Sequence, residues 1–501
     1  MIRIPALFFC ITLALAGLAR ASEESSSEAK AIPEAIHVVT DGTVTIAGKR
    51  INYQATAGQL LMHNAEDKPI ALYGYTAYTK TDGGSNRPVV FAYNGGPGSA
   101  SMWLHMGILG PQRTVVDDPN FTTEGPFRYI NNEFSILDVA DLVMIDPVGT
   151  GYSRSVGEGK DEDFWGVDND GKTVSDFIAR WTTENNRWLS PKYILGESYG
   201  GMRSGSVALN LLNRHNLALN GVILVSPFMS YSAGSADAGY DQAFINYFSA
   251  YAATAWYHGV SEYRPDDLQT LLRTAEDFAN TQYASALMAG DQLSTEQRSA
   301  ITQEMQRLTG ISADYWERAN LRITESQFDQ ELLRQHGKSV GRIDARFVGN
   351  SINRVGEHSD YDPFFPAVGP AFVATFLDYY RRILGVETEM RYVTSAGLWS
   401  KWDYGHRPPG SGYKVAAADT GVDLRHAMIQ NPHMRVLVQQ GYYDLATPYG
   451  ATQYFIDHMA LPAELSGNIT LKHYEAGHMM YIHEASIAPF KNDLATFITA
   501  P

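Results

Sequence analysis

Gly196-Glu197-Ser198-Tyr199-Gly200 sets a serine between two glycines, in a context that can make its hydroxyl a nucleophile. The apolar run Tyr193-Ile194-Leu195 precedes it, and a helical pattern from Met202 to about Asn213 follows. In a G-x-S-x-G turn from strand to helix, a Cβ two residues before or after the serine is expected to clash. The hydroxyl is then held out at the end of the strand. A serine is a poor nucleophile near neutral pH. It needs a general base, an acid to orient that base, and donors for the developing oxyanion.

The chain supplies candidates for each role. Asp444 follows the strand pattern Arg435 to Gln439 through Gly441-Tyr442-Tyr443. His478 follows the pattern ending at Tyr474, inside Ala476-Gly477-His478-Met479. Taken singly, an Asp in a loop is a turn residue and a His is a packed or surface side chain. Chain order and strand context select this pair from the 14 histidines, since Ser, then Asp, then His, each after a strand, is the order of α/β-hydrolase folds. Asn94-Gly95-Gly96-Pro97-Gly98 ends the strand pattern Val89 to Tyr93. Backbone N–H groups of such a loop can point inward, and one of them with the N–H of Tyr199 would form an oxyanion hole. No phosphate-loop continuation follows it. His473, His478 and His483 are evenly spaced, but a five-residue step alternates faces on a strand, so no metal site is expected.

The elements around these residues alternate. Thr43 to Ile46, Ala47-Gly48 and Ile51 to Tyr53 read as a hairpin. Strands at Pro88 to Tyr93, Leu142 to Ile145, Tyr193 to Leu195 and Val222 to Val225 are interleaved with helices, including Val174 to Trp188. That alternation predicts a parallel sheet covered on both faces. From about Pro227 to Leu384 no clear strand pattern remains. Leu268, Leu271, Leu272, Ala275 and Phe278 fall at helical spacing, and Ser294 with Gln297 makes a capping box. Strand and helix alternate again from Arg435. The expected organisation is a signal peptide at 1–21, a flexible leader at 22–35, a first core part at 36–226, a helical lid insertion at 227–384 and a second core part at 385–501.

Composition narrows the setting. A formal charge of −16 argues against nucleic acid or anionic membrane as a partner. Arg3, the apolar Ile4 to Leu18 and Ala19-Arg20-Ala21 read as a secretory signal, too short for a membrane span. The single cysteine, Cys10, lies inside it. A mature chain without disulfides points to a bacterial envelope, secreted or periplasmic.

Asn94 to Gly98, Asp146-Pro147-Val148-Gly149-Thr150-Gly151-Tyr152-Ser153, Gly196 to Gly201 and Gly477-His478-Met479 together resemble the serine carboxypeptidase family, peptidase family S10. The resemblance runs from about Val89 to His478 and implies an α/β-hydrolase fold, doubly wound and mostly parallel, with a helical lid. It implies Ser198 as nucleophile, His478 as base, Asp444 as its partner, and Gly96 and Tyr199 as oxyanion donors. It assigns Asn94 and Glu197 to the substrate's terminal carboxylate. A carboxyl can bind a carboxylate only when one of the two carries a proton, so mildly acidic medium is favoured. The chain departs from the family at Ala92, where a Trp is usual, and at Ile108, where ungapped register puts a further acid. Ser99 stands for a Cys and Tyr442 for the first acid of G-D-x-D.

The reading is a serine-type carboxypeptidase acting on peptides through an acyl-enzyme, with no cofactor, metal, nucleic acid or membrane span. The alternatives are an esterase, acyltransferase or other peptidase on the same fold, and a catalytically inactive hydrolase fold used for binding. Oligomeric state and residue preference are not legible.

Overall fold

The computed structural model describes residues 32–236 and 239–500; the expected signal peptide and most of the leader lie outside them. A ten-stranded sheet forms the centre. Its strands are β1 (His37–Ile46), β2 (Lys49–His63), β3 (Pro69–Lys80), β4 (Val89–Tyr93), β5 (Asp141–Ile145), β6 (Lys192–Glu197), β7 (Gly221–Val225), β8 (Arg435–Gly441) and β9 (Ile469–Tyr474), with the short strand Arg154–Ser155 on β3. The order is β1-β2-β3-β5-β4-β6-β7-β8-β9. β1, β2, β3 and β5 pair antiparallel; every pairing from β5 onward to β9 is parallel.

The β1–β2 turn is Ala47-Gly48, with φ of 47° and 76°. A two-residue hairpin turn of this hand needs positive φ at both positions, which matches the right-handed twist of the strands. Farther in, alternate side chains feed opposite faces. Val90 and Ala92 of β4, Leu142 and Met144 of β5 and Ile223 and Val225 of β7 enter one core. Val89, Phe91, Val143, Ile145, Val222 and Leu224 enter the other. Burial on both faces explains why these strands read as continuous apolar runs.

Helices cover both faces. α1 (Val167–Glu184), α2 (Tyr199–His215) and, later in the chain, Gly421–Gln430 pack on one face. The helical layer begins with α3 (Asp241–Tyr257), α4 (Leu268–Phe278) and α5 (Thr295–Thr309). α4 buries Leu268, Leu271, Leu272, Ala275 and Phe278, and Asp267 caps it by accepting from the Thr270 N–H. Each buried leucine contributes about 1.5–3 kcal/mol relative to exposure. Ser294 and Gln297 cap α5 reciprocally. These helices share a cluster with Tyr442, Tyr443, Leu445 and Tyr449, so they rest on the loop beyond β8.

Within 227–384 the structure adds two features that periodicity does not reveal. Lys338–Val340 and Val348–Asn350 form a small antiparallel hairpin, too short to alternate visibly. α6 (Phe364–Arg382) leaves the helical layer and packs Phe364, Val368, Phe372 and Phe376 on the sheet. The second face is completed by the C-terminal helix Glu484–Thr499. α1 also begins at Val167 rather than Val174, because Asp170 in its first turn is buried against Arg203. It stops at Glu184, and Asn186 turns left-handed with φ 55°.

Candidate active site

β6 ends at Glu197 and α2 begins at Tyr199, leaving Ser198 as the single residue of the turn. Ser198 has φ 63° and ψ −128°, a conformation that costs a non-glycine residue about 1–3 kcal/mol. The backbone around it is clamped. Its N–H donates to Val225 O at 2.9 Å, and its carbonyl accepts from Gly201 N at 2.8 Å and Phe228 N at 3.0 Å. A Cβ on Gly196 would fall on Gly200 O, as expected two residues before the serine. After the serine the tighter position is Gly201, whose Cβ would sit 2.6 Å from Pro227 Cβ. Gly200 has more room, with Tyr93 O at 3.2 Å.

The loops after β8 and β9 are joined by backbone bonds from Tyr442 N to Tyr474 O and from Tyr443 N to Ala476 O, both 3.0 Å. That joining brings Asp444 to His478, whose Nδ1 lies 2.8 Å from Asp444 Oδ2. Asp444 is fully buried and accepts from Ala446 N at 2.8 Å, Thr447 N at 2.9 Å and Gln440 Nε2 at 3.1 Å. Thr447 Oγ1 lies 2.7 Å from the same carboxylate. With Nδ1 held by Asp444, the His478 ring can present Nε2 as an acceptor. Burial disfavours the imidazolium, but the Asp444 charge and hydrogen bond, with Glu197 beyond, outweigh it and raise the His478 pKa. Two successive residues at the end of β7 tie both loops together. Val225 O holds the Ser198 N–H, and Ser226 Oγ donates to His478 O at 2.7 Å.

The loop after β4 lies against the serine turn. A Cβ on Gly95 would fall on Tyr199 N and within 2.7 Å of Glu197 O, so only glycine permits this approach. Gly96 follows with φ 107°. Among the described residues, neither the Gly96 N–H nor the Tyr199 N–H donates to a protein acceptor. Gly96, Pro97, Ser198 and Tyr199 line one wall of a cavity of about 460 Å3.

Asn94 and Glu197 are brought together, and neither lines that cavity. Asn94 Nδ2 donates to Glu197 Oε1 at 2.7 Å, and both residues are almost wholly buried. The second carboxylate oxygen accepts from Tyr481 OH at 2.6 Å. Burial pushes the Glu197 carboxyl up to about 7, against lowering by His478 and by the Tyr481 and Asn94 hydrogen bonds. Ile108 is fully buried in the core. The hydroxyl on Glu197 comes instead from Tyr481, three residues past His478. Gly107 makes room for it, since a Cβ there would fall on the Tyr481 ring.

Arg203, on α2, is a further residue that no sequence motif marks. It donates to Asp170 Oδ2 at 2.7 Å and to Asn94 O at 2.6 Å, fixing the glycine loop to the helix behind the serine. Asp146 of the second motif is a structural anchor: it accepts from Ser101 N at 2.8 Å, Ser101 Oγ at 2.7 Å and Tyr392 OH at 3.0 Å. The three evenly spaced histidines part company. His478 meets Asp444, His483 Nδ1 lies 2.6 Å from Asp118 Oδ2, and His473 stacks on Tyr442.

A strained serine between a parallel strand and a helix, with a histidine–aspartate pair on loops after later strands, defines an α/β hydrolase. The solved structure of the KEX1 prohormone-processing carboxypeptidase from Saccharomyces cerevisiae has that fold. It aligns with a TM-score of 0.50 at 16% identity, covering 88% of this chain and 92% of that one. The serine carboxypeptidase family model matches residues 48–334, and the chain belongs to that family. The matched segment contains the glycine loop and the serine turn and ends before Asp444 and His478. Serine carboxypeptidase-like 36 of Arabidopsis thaliana is 30% identical over 172 residues, which is 33% of this chain and 34% of that relative. The pheromone-processing carboxypeptidase KEX1 of Saccharomyces cerevisiae is 34% identical over 156 residues, 29% of this chain and 20% of that relative. The matched segments thus span about a third or less of either relative.

Proposed function

We propose that this protein is a serine carboxypeptidase that releases C-terminal residues from peptides through an acyl-enzyme. The observation that carries the reading is the Asp444–His478 pair at 2.8 Å, tied through Val225 and Ser226 to the strained Ser198 turn. Ser198 Oγ attacks the scissile carbonyl carbon while His478 Nε2 takes its proton. Asp444 holds the imidazole and stabilises its charged form. The tetrahedral oxyanion accepts from the Gly96 and Tyr199 N–H groups, whose freedom from other acceptors supports this role. Collapse breaks the C–N bond, and His478 returns the proton to the leaving amine. Water then repeats the sequence on the ester, regenerating Ser198 and a new peptide terminus.

The Asn94–Glu197 pair is the candidate for the substrate's terminal carboxylate. Glu197, with its pKa near 7, keeps a proton in mildly acidic medium and can then face an anion without charge repulsion. The helical layer acts as a lid that shapes the cavity. Among the described residues, no helix is long and apolar enough to cross a membrane. Export by the N-terminal signal, to the periplasm or beyond, belongs to the same reading.

A fluorophosphonate probe tests it, paired with transfer to an added amino-acid amide. Stoichiometric labelling that Ser198→Ala abolishes, with a transpeptidation product in the wild type, is the expected result. Labelling that survives in Ser198→Ala would overturn the nucleophile assignment.

A further inference from the structure

Arg342 is a charged side chain on the cavity wall that the mechanism above does not use. Its backbone is held firmly. Leu445 N donates to Arg342 O at 3.0 Å, next to Asp444 in sequence. The neighbouring Ile343 accepts from His478 N at 2.8 Å and donates to Asp362 Oδ2 at 3.0 Å. The residue is thus locked between the loops that carry the aspartate and the histidine. Its guanidinium, by contrast, makes no ion pair and donates no side-chain hydrogen bond among the described residues. The fully buried arginines here are paired: Arg203 with Asp170, Arg346 with Asp118 and Asp344, Arg187 with Asp141.

None of the surrounding acids forms an ion pair with it among the described residues. Asp329 is 3% exposed, one of its carboxylate oxygens has no partner, and burial, with the nearby Asp362 and Glu325 charges, raises its pKa well above the ordinary range. Asp362 accepts from the backbone N–H groups of Ile343 and Phe364 and forms no ion pair with Arg342, although the Arg342 charge favours its ionised form against burial. Glu325 and His358 share the cavity wall, and neither forms an ion pair with Arg342. The Arg342 charge works against protonation of His478. A half-buried guanidinium with its donors unspent, facing a cavity that opens on Ser198, matches a planar anion in bidentate geometry.

We infer that Arg342 is a specificity residue that anchors a carboxylate of the bound peptide in the cavity beside Ser198. This rests on the peptidase reading for its substrate class. It adds a fixed positive charge on the cavity wall to a site whose other proposed carboxylate ligands are the almost wholly buried Asn94 and Glu197. The carboxylate is either the chain terminus or an acidic side chain next to the scissile bond, and the two sources separate experimentally.

The test uses the full chain and an uncharged N-acyl amino-acid ester as reporter of turnover. Inhibition constants are measured for three peptides: one with neutral side chains and a free terminus, its C-terminal amide, and an amide carrying a glutamate side chain. In the wild type the free acid is expected to bind more tightly than its amide if the terminus is the ligand. The glutamate amide binds more tightly than the neutral amide if the side chain is. Either preference should fall about tenfold to a hundredfold in Arg342→Met, the loss of a charged bidentate hydrogen bond. Arg342→Lys should keep part of it, because the charge remains and the fork does not. The labelling rate of Ser198 by a fluorophosphonate reports whether each variant is folded, and Arg342→Gln replaces Arg342→Met if the latter is not. A preference that persists unchanged in the neutral variant, or a wild type with neither preference, overturns the inference. A wild type that cleaves the ester and shows the preference, yet shortens no free-acid peptide, overturns the carboxypeptidase reading and leaves Arg342 as a carboxylate anchor.

Discussion

Tyr481 OH donates to Glu197 Oε2 at 2.6 Å, reaching the residue before the nucleophile from the helical turn just after His478. The contact exists because Gly107 has no side chain to occupy the space of the Tyr481 ring. It joins three segments distant in sequence, around residues 107, 197 and 481. It also favours the ionised form of Glu197, opposing burial, which leaves the carboxyl near 7.

That balance has a pH signature. On the proposed role of Glu197, its protonated form below about pH 7 tolerates the substrate carboxylate and its ionised form above that repels it. KM for a free-acid peptide should rise as pH passes through that value, with kcat less affected and an amidated substrate flat. Tyr481→Phe removes a bond to the ionised form, so the midpoint should move to higher pH. Glu197→Gln should remove the step. A midpoint that moves down in Tyr481→Phe would contradict this account of Glu197.

The nucleophile prediction is one of magnitude and coupling. Ser198→Ala and His478→Ala should each lower kcat by about 10⁴ to 10⁶, and the double variant should lose little more than either alone. Losses that multiply would show that the two residues do not act as one unit.

The serine turn is legible in the sequence because its geometry demands small residues at fixed offsets, and few other settings place glycines there between a strand and a helix. Asp444 and His478 are legible through order: each stands just past a parallel strand, where side chains converge on the carboxyl end of the sheet. Arg203, Thr447 and Tyr481 leave no such signal. They act through contacts of long sequence separation, as Arg203 Nη1 does on Asn94 O at 2.6 Å, and their types are ordinary for a helix or loop. The small hairpin at Lys338–Val340 and Val348–Asn350 is hidden for another reason, since three residues cannot display a period of two. The extent of α6 along the sheet depends on a packing surface assembled from β4, β5 and the C-terminal helix.

Arg203 carries a stability prediction. Its side chain and that of Asp170 are both buried, and the Asp170 carboxylate would be left alone without it. Arg203→Met should cost about 3–5 kcal/mol in urea unfolding, with part recovered by adding Asp170→Asn. A loss near the 0–1 kcal/mol of an exposed pair would mean that the two charges contribute little to the fold.

His406 sets a limit on the alkaline side. It lies 2.7 Å from Asp168 Oδ1 and 2.8 Å from Asp423 Oδ2, joining the loop beyond Trp402 to α1 and to the helix Gly421–Gln430. Burial lowers its pKa, but the two carboxylates together raise it to about 9. A group raised on folding stabilises fully below its unfolded value, near 6.5, and the benefit is lost as pH climbs through the folded value. Tm should therefore fall between about pH 6.5 and 9, and His406→Gln should flatten that slope. An equal slope in both proteins would remove His406 from the account.

The most direct measurement is mass spectrometry of one peptide in two forms, free acid and C-terminal amide, after incubation with the protein near pH 5.5. The account predicts stepwise loss of single residues from the C-terminus of the free acid, little or no shortening of the amide, and none of either by Ser198→Ala. Internal cleavage, or equal shortening of both forms, would contradict it.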